Sequence, residues 1–197
     1  MRTGDPATAH DVIEPPRVGN YMATFGGRKF WPLDPRPEEV VIGDIAHHLA
    51  NKCRWAGATR WHYSVAQHSV YVSWFVPGWC ALEALLHDAS EAYNGDLIRP
   101  LKHSPEFAAF GVVEERVERA IARRFQLEHP WPIAVKDADA AVGIAEAYQL
   151  IALPYDQASV HFDASKAADL VIEQWSPDEA EASFLARYEE LTLRRTG

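Results

Sequence analysis

The sequence predicts an all-α domain, and three observations carry that prediction. Apolar residues recur at three- and four-residue intervals through most of the chain beyond residue 41. Helix-start signatures punctuate the same region at Ser64-Val-Ala-Gln67, Ser104-Pro105 and Ser176-Pro-Asp-Glu179. No internal repeat, low-complexity tract or β-rich segment appears beyond a short aromatic stretch at residues 21–37.

In chain order, residues 1 to about 20 are polar and irregular and read as a loose end. Tyr21, Phe25, Phe30 and Trp31 then alternate with Gly26-Gly27 and several prolines, which favours an ordered arm or short hairpin. The expected division is a tail and arm over 1–40 and a helical bundle over 41–197. A helix over residues 42 to about 54 has Ile42, Ile45, Leu49 and Cys53 on its inward side. A second begins at the Ser64 cap, with Val65, His68, Val72 and Phe75 inward, and ends at Pro77. A third, from about Trp79, carries Leu82, Leu85, Leu86, Ala89 and Tyr93 as its core stripe and stops at Asn94-Gly95 before Pro100. Phe107, Phe110, Val117, Ile121 and Phe125 mark a long amphipathic helix. An alanine-rich helix spans about 133–150, residues 151–165 read as loop, and a last helix runs from the Ser176 cap to about Arg194.

Composition bounds the function. At 197 residues and 48% hydrophobic, the chain is long enough for one packed domain. Its seven tryptophans are expected mainly in the core or in pocket walls. The net charge of -9 argues against a nucleic-acid polymer or an anionic membrane surface as partner, so any phosphate-bearing ligand must meet a local basic site. Cys53 and Cys80 have no disulfide-framework or thiolate-metal spacing, and no signal peptide or membrane-length apolar run is present, which points to the cytoplasm.

The third helix is where polar chemistry is set into apolar surroundings. Glu83, His87 and Glu91 stack at intervals of four, and Asp88 faces Ala84, Leu85 and Ala92. An unpaired carboxylate there costs several kcal/mol or shifts its pKa upward, and a cation removes the cost. A divalent metal needs imidazole and carboxylate ligands from several helices. The chain offers His68, the pair His87-Asp88, and either Asp137 or Asp139. Taken alone, a histidine on an apolar stripe is ordinarily a satisfied core residue; it is the combination that points to a metal.

The order His68, His87-Asp88, then Asp139 within Val135-Lys-Asp-Ala-Asp139 resembles the H…HD…D signature of the HD-domain metal-dependent phosphohydrolases. Arg54-Trp55 ahead of Ser64-Val-Ala-Gln-His-Ser69, then His87-Asp-Ala-Ser-Glu91 and Gly95-Asp96, is more closely similar to bacterial 5′-deoxyribonucleotidases and viral HD dNTP triphosphohydrolases. The resemblance covers roughly residues 42–150. It implies a compact HD-domain helical bundle around one divalent ion (Mn, Co, Fe, Ni, Zn or Mg) held by His68, His87, Asp88 and Asp139. It further implies Glu91 and Asp96 as the groups that handle protons, Arg54 as a phosphate ligand and Trp55 as a wall against the sugar. Lys102, just past the helix exit, is the preferred additional phosphate contact among Arg60, His62, Arg99 and Lys102.

The function so implied is hydrolysis of a small-molecule (deoxy)nucleotide by metal-activated water, releasing phosphate from a dNMP or tripolyphosphate from a dNTP, by a protein expected to be a homo-oligomer. Two alternatives stand beside it. A two-metal phosphodiesterase or di-iron oxygenase would recruit His103 or His129, and a non-catalytic nucleotide sensor would keep binding without turnover. The arm, with Arg28 and Lys29, is expected to tune specificity and to be removable without loss of the fold.

Overall fold

A computed structural model of the chain describes residues 16–152 and 163–196. The loose end expected at the N-terminus and most of the loop expected at 151–165 lie outside the described residues.

The arm is a hairpin. Strands β1 (Met22–Ala23) and β2 (Lys29–Phe30) pair antiparallel with Met22 opposite Phe30. Its turn sits against the first helix: the Gly26 N–H donates to Asp44 Oδ1 at 2.6 Å, and a Cβ at Gly26 would meet the same oxygen at 2.8 Å, so only glycine allows the approach. Phe30 stacks on Tyr93 at 3.8 Å and is fully buried within the main core. The expectation of a detachable arm is therefore corrected, because removing it would open that core at Phe30.

Helices α1 (Ile42–Ala50), α2 (Val65–Trp74), α3 (Ala81–Leu86), α4 (Glu91–Asn94), α5 (Arg99–Lys102), α6 (Ala108–Phe125), α7 (Ile133–Leu150) and α8 (Pro177–Thr196) follow. The all-α class holds. Helix α1 stops earlier than the apolar spacing suggested, at Asn51, whose side-chain amide donates to the His47 carbonyl at 2.9 Å. Cys53, expected inward, lies exposed on an extended segment bridged to Ser64. At α8 both halves of the capping box form: Ser176 Oγ accepts from Glu179 N–H, and the Ser176 N–H donates to Glu179 Oε2 at 2.7 Å. At α2 only the forward half forms, since Gln67 N–H donates to Ser64 Oγ while the Gln67 amide turns to Tyr71 and the Glu173 carbonyl.

Helix α2 lies at the centre. It packs on α1, α3, α7 and α8, and every residue from Val65 to Ser73 is buried. Phe75, expected on its inward stripe, caps its end and is partly exposed. One core joins Phe30, Ile45, Leu49, Leu85, Leu86 and Phe184, and a second joins Tyr63, Tyr71, Val72, Val142 and Leu150. Each such side chain contributes about 1.5–3 kcal/mol through burial, which fixes α2 and whatever it carries. The tryptophans follow expectation in part, with Trp61 and Trp175 packed against the second core. None of the seven is fully buried, and Trp74 and Trp79 are more than half exposed, because they sit where the chain turns between α2 and α3. No described helix is long and apolar enough to cross a membrane.

The third predicted helix is broken. Between α3 and α4 the main chain tightens into successive i→i+3 bonds, Leu86 to Ala89, Asp88 to Glu91, Ala89 to Ala92 and Ser90 to Tyr93. The cause is local: the His87 ring donates from Nδ1 to the Ala84 carbonyl at 2.7 Å, an acceptor that a continuous helix would give to the Asp88 N–H. The core stripe Leu82, Leu85, Leu86, Ala89 and Tyr93 is nonetheless buried throughout. Gly95, at φ +84, ends α4 as expected.

Candidate metal centre

The tightened turn places His87 and Asp88 opposite the middle of α2 and the second turn of α7. Four atoms meet there. His68 Nε2 is 3.1 Å from Asp139 Oδ1 and 3.6 Å from Asp88 Oδ2, and His87 Nε2 is 3.3 Å from Asp88 Oδ2 and 3.8 Å from Asp139 Oδ1. His68 is fully buried and His87 nearly so, while the Asp139 side chain is 43% exposed and opens the cluster to the surface.

The fit to a cation follows from the hydrogen-bond inventory. Each imidazole spends Nδ1 elsewhere, His87 on the Ala84 carbonyl and His68 on Glu146 Oε1 at 2.5 Å. With the proton held at Nδ1, each Nε2 presents a lone pair, and both Nε2 atoms are buried without a hydrogen-bond partner. Two imidazole lone pairs and two carboxylates then point at one another, an arrangement that repels itself unless positive charge sits among them. His68, His87 and Asp139 alone already offer ligand atoms within 4.8 Å of one another.

The titration of the chain's own groups reflects the same demand for positive charge. Burial opposes a charged His87, but Asp88 and then Asp139 outweigh it and raise its pKa well above the ordinary value. His68 also rises: burial and Arg54 act against its charge, and Glu146 and Asp139 prevail. Asp88 and Asp139 move the other way. Burial would raise both, yet the neighbouring imidazoles hold them well below the usual carboxylate range.

Behind the cluster stands a residue that sequence reasoning missed. Glu146, two turns beyond Asp139 on α7, is fully buried and accepts from four donors: His68 Nδ1, Trp55 Nε1 at 2.8 Å, Tyr63 Oη at 2.9 Å and Arg54 Nη2 at 3.1 Å. Burial alone would raise its pKa, but Arg54 and then His68 bring it down to about 2. The available signal was a seven-residue step from Asp139, which puts a lone acid on the same face among Val142, Ala145 and Ala147.

Arg54 and Trp55, expected at the substrate, are first of all bound to this carboxylate. Arg54 Nη1 also lies 3.4 Å from Asp88 Oδ2, and its Nε is buried without a partner. Burial opposes the Arg54 charge, but Glu146 and Asp88 raise its pKa further. Trp55 and Ala56 both adopt left-handed backbone, φ 56° and 50°. Such geometry costs of order 1–3 kcal/mol per residue, and the bonds of Arg54 and Trp55 to Glu146 hold the turn in place.

Glu91 stands on α4 beside the cluster, 7% exposed, with Oε2 buried and unpartnered. Burial, then Asp88 and Asp96, push its pKa well above the carboxylate range. Asp96 lies on the exposed loop beyond α4, and burial of its carboxyl followed by Asp88 raises it despite Arg54. Lys52, which the sequence did not single out, is close enough for Glu91 and Asp96 to oppose the lowering that burial imposes on its ammonium. Lys102 forms an ion pair with Glu114 at 2.9 Å.

Other candidates are not brought in. Asp137, two residues before Asp139 and so on the far side of the helix, is exposed, and His62 bonds Cys53 and the Ala50 carbonyl. His129 pairs with Glu118 at 3.0 Å, and His103 is exposed. Arg60 and Arg99 are exposed as well.

No family model matches the chain. Among curated proteins it is 37% identical over 198 residues to the uncharacterized protein RCAP_rcc00048 of Rhodobacter capsulatus, an alignment covering 90% of this chain and 98% of that protein. It is 40% identical over 121 residues to the uncharacterized protein YfdR of Escherichia coli, covering 61% of this chain and just under two thirds, 66%, of that protein.

Proposed function

The chain belongs to the family of the Rhodobacter protein RCAP_rcc00048, and since neither relative's name states an activity, we propose from the site chemistry that it is an HD-type metal-dependent phosphohydrolase acting on (deoxy)nucleotides. The observation that carries the reading is the convergence of His68, His87, Asp88 and Asp139 with both Nδ1 atoms engaged and both Nε2 atoms free. These four residues would hold one divalent ion. When bound, such an ion supplies a water of lowered pKa and polarises a phosphoryl oxygen.

The remaining steps belong to the chain. Arg54, fixed by Glu146 and Asp88, keeps its buried Nε for one more acceptor, and a phosphate oxygen suits it. Glu91 holds a proton on a buried carboxyl in the field of Asp88 and Asp96, which places it to exchange that proton with the attacking water or the leaving oxygen. Asp96, on the exposed loop, is the group through which the proton reaches solvent. Lys52 and Lys102 add positive charge beside these acids, Lys102 after releasing Glu114.

The test is a panel of deoxy- and ribonucleoside mono- and triphosphates incubated with protein stripped and reloaded with Mn or Co. Orthophosphate from monophosphates defines a 5′-nucleotidase, and tripolyphosphate from triphosphates a dNTP triphosphohydrolase. Either release is expected to depend on metal and to vanish in Asp88→Ala. Absence of metal-dependent turnover in a folded protein overturns the reading.

A further inference from the structure

A second concentration of positive charge lies on α6 and shares no lining residue with the metal centre. Arg116, Arg119 and Arg123 occur at i, i+3 and i+7, hence on one face of the helix. With Leu33, Asp34, Pro35 and Pro37 of the segment after the hairpin they line a cavity of about 330 Å³.

We propose that this cavity binds a phosphate-bearing small molecule through Arg116, Arg119 and Arg123. Arg116 and Arg123 have no ion pair or hydrogen bond among the described residues. Arg119 has one, with Glu115 at 2.6 Å, but both side chains are more than half exposed, so the pair contributes little and yields to a stronger acceptor. The one carboxylate in the lining is already claimed: Asp34 Oδ2 lies 3.3 Å from Arg17 Nε and 3.9 Å from Arg36 Nη2. What remains is three guanidinium forks on a chain of net charge -9, where uncompensated positive charge is scarce.

Planar forks with paired donors match phosphate oxygens, and several of them together favour a diphosphate over a single carboxylate. The shape selects the size of the occupant. A recess of this volume lies at the small end of pockets that take small molecules, and a nucleic-acid backbone or a membrane would ask for an open plane. Pro35 and Pro37 stiffen the opposing wall, and the Pro37–Glu39 turn packs on α6, so the two sides of the recess are set before any ligand arrives.

Pyrophosphate titrated into the metal-free protein tests this. The metal-free protein removes the ion through which the metal centre would take a phosphate, and Lys102→Gln reports any binding that remains beside that centre. Calorimetry and phosphorus NMR are expected to show one saturable site, weakened by at least about tenfold in R116Q/R123Q with an unchanged melting temperature. Both arginines are exposed on the helix, so the fold is expected to tolerate the change. Lys102→Gln is expected to leave binding intact. Equal binding by R116Q/R123Q and wild type, a loss that follows Lys102→Gln instead, or no binding at millimolar pyrophosphate by either method would each overturn the proposal. The readout is binding without metal or turnover, so its failure and that of the hydrolase reading are separable.

Discussion

Helix α7 carries two acids two turns apart, Asp139 and Glu146, and His68 touches both, Asp139 through Nε2 and Glu146 through Nδ1. Around Glu146 every neighbour is a donor, and the carboxylate is saturated by Arg54, Trp55, Tyr63 and His68. Around Asp139 the nearest groups are imidazole lone pairs and the second carboxylate, Asp88. The first arrangement is complete within the chain, whereas the second leaves both imidazole Nε2 atoms buried without a hydrogen-bond partner. Residue type does not distinguish a structural acid from a ligand; the donor inventory around it does.

The sharpest way to break the contrast is to empty the saturated side. Glu146→Ala would leave the Arg54 charge and three buried donors without their acceptor. We expect a loss of about 3–5 kcal/mol, read as a drop of about 10 °C or more in melting temperature, with metal binding lost as well because His68 is no longer oriented. The opposite pattern is expected at the other acid. Asp139→Asn should cost about 1 kcal/mol or less in chelator, since its side chain is 43% exposed. It should however abolish the metal-induced stabilisation, about 2.7 kcal/mol at a hundredfold excess over Kd in wild type, and thermal melts with and without Mn check both halves.

Acid should also report on the saturated side. The Glu146 carboxyl is depressed from an ordinary 4.5 to about 2, so its contribution is complete above the ordinary value and is lost as pH falls through 4.5 toward 2. About 3 kcal/mol is at stake on that branch. Melting temperature against pH for chelated wild type should fall more steeply there than for Glu146→Gln, and parallel curves would refute the assignment. The smallest effect is expected at Trp55→Phe, which removes a single donor from Glu146 and should cost about 1 kcal/mol. Turnover then reports whether the ring also meets the sugar: if it does, the ribo-to-deoxyribonucleotide preference shifts beyond what stability explains.

Much of the helical frame was legible in one dimension. The span of α7 and the Ser176 cap follow the apolar period and the capping chemistry, as do the buried stripe Leu82, Leu85, Leu86, Ala89 and Tyr93 and the hairpin of the arm. These signals are local, acting within one or two helical turns. The misjudged points all depend on partners distant in sequence or on a local competitor. Helix α1 ends at Asn51 before Cys53, and Gln67 leaves its cap for Tyr71 and the Glu173 carbonyl. Trp74 and Trp79 fall at a chain reversal, and the His87 ring takes the Ala84 carbonyl and breaks the helix.

The site divides in the same way. The spacing of His68 and His87-Asp88 on buried segments is a property of the sequence, since periodicity assigns inward-facing side chains, whereas the preference for Asp139 over Asp137 rests on the family resemblance and not on periodicity. That both imidazoles keep Nδ1 occupied, that Arg54 and Trp55 converge on Glu146, and that Lys52 reaches Glu91 and Asp96 were decided by tertiary structure. Periodicity assigns a face to a side chain but not the acceptor that waits there, and for an imidazole or a buried carboxylate that acceptor settles what the group can bind.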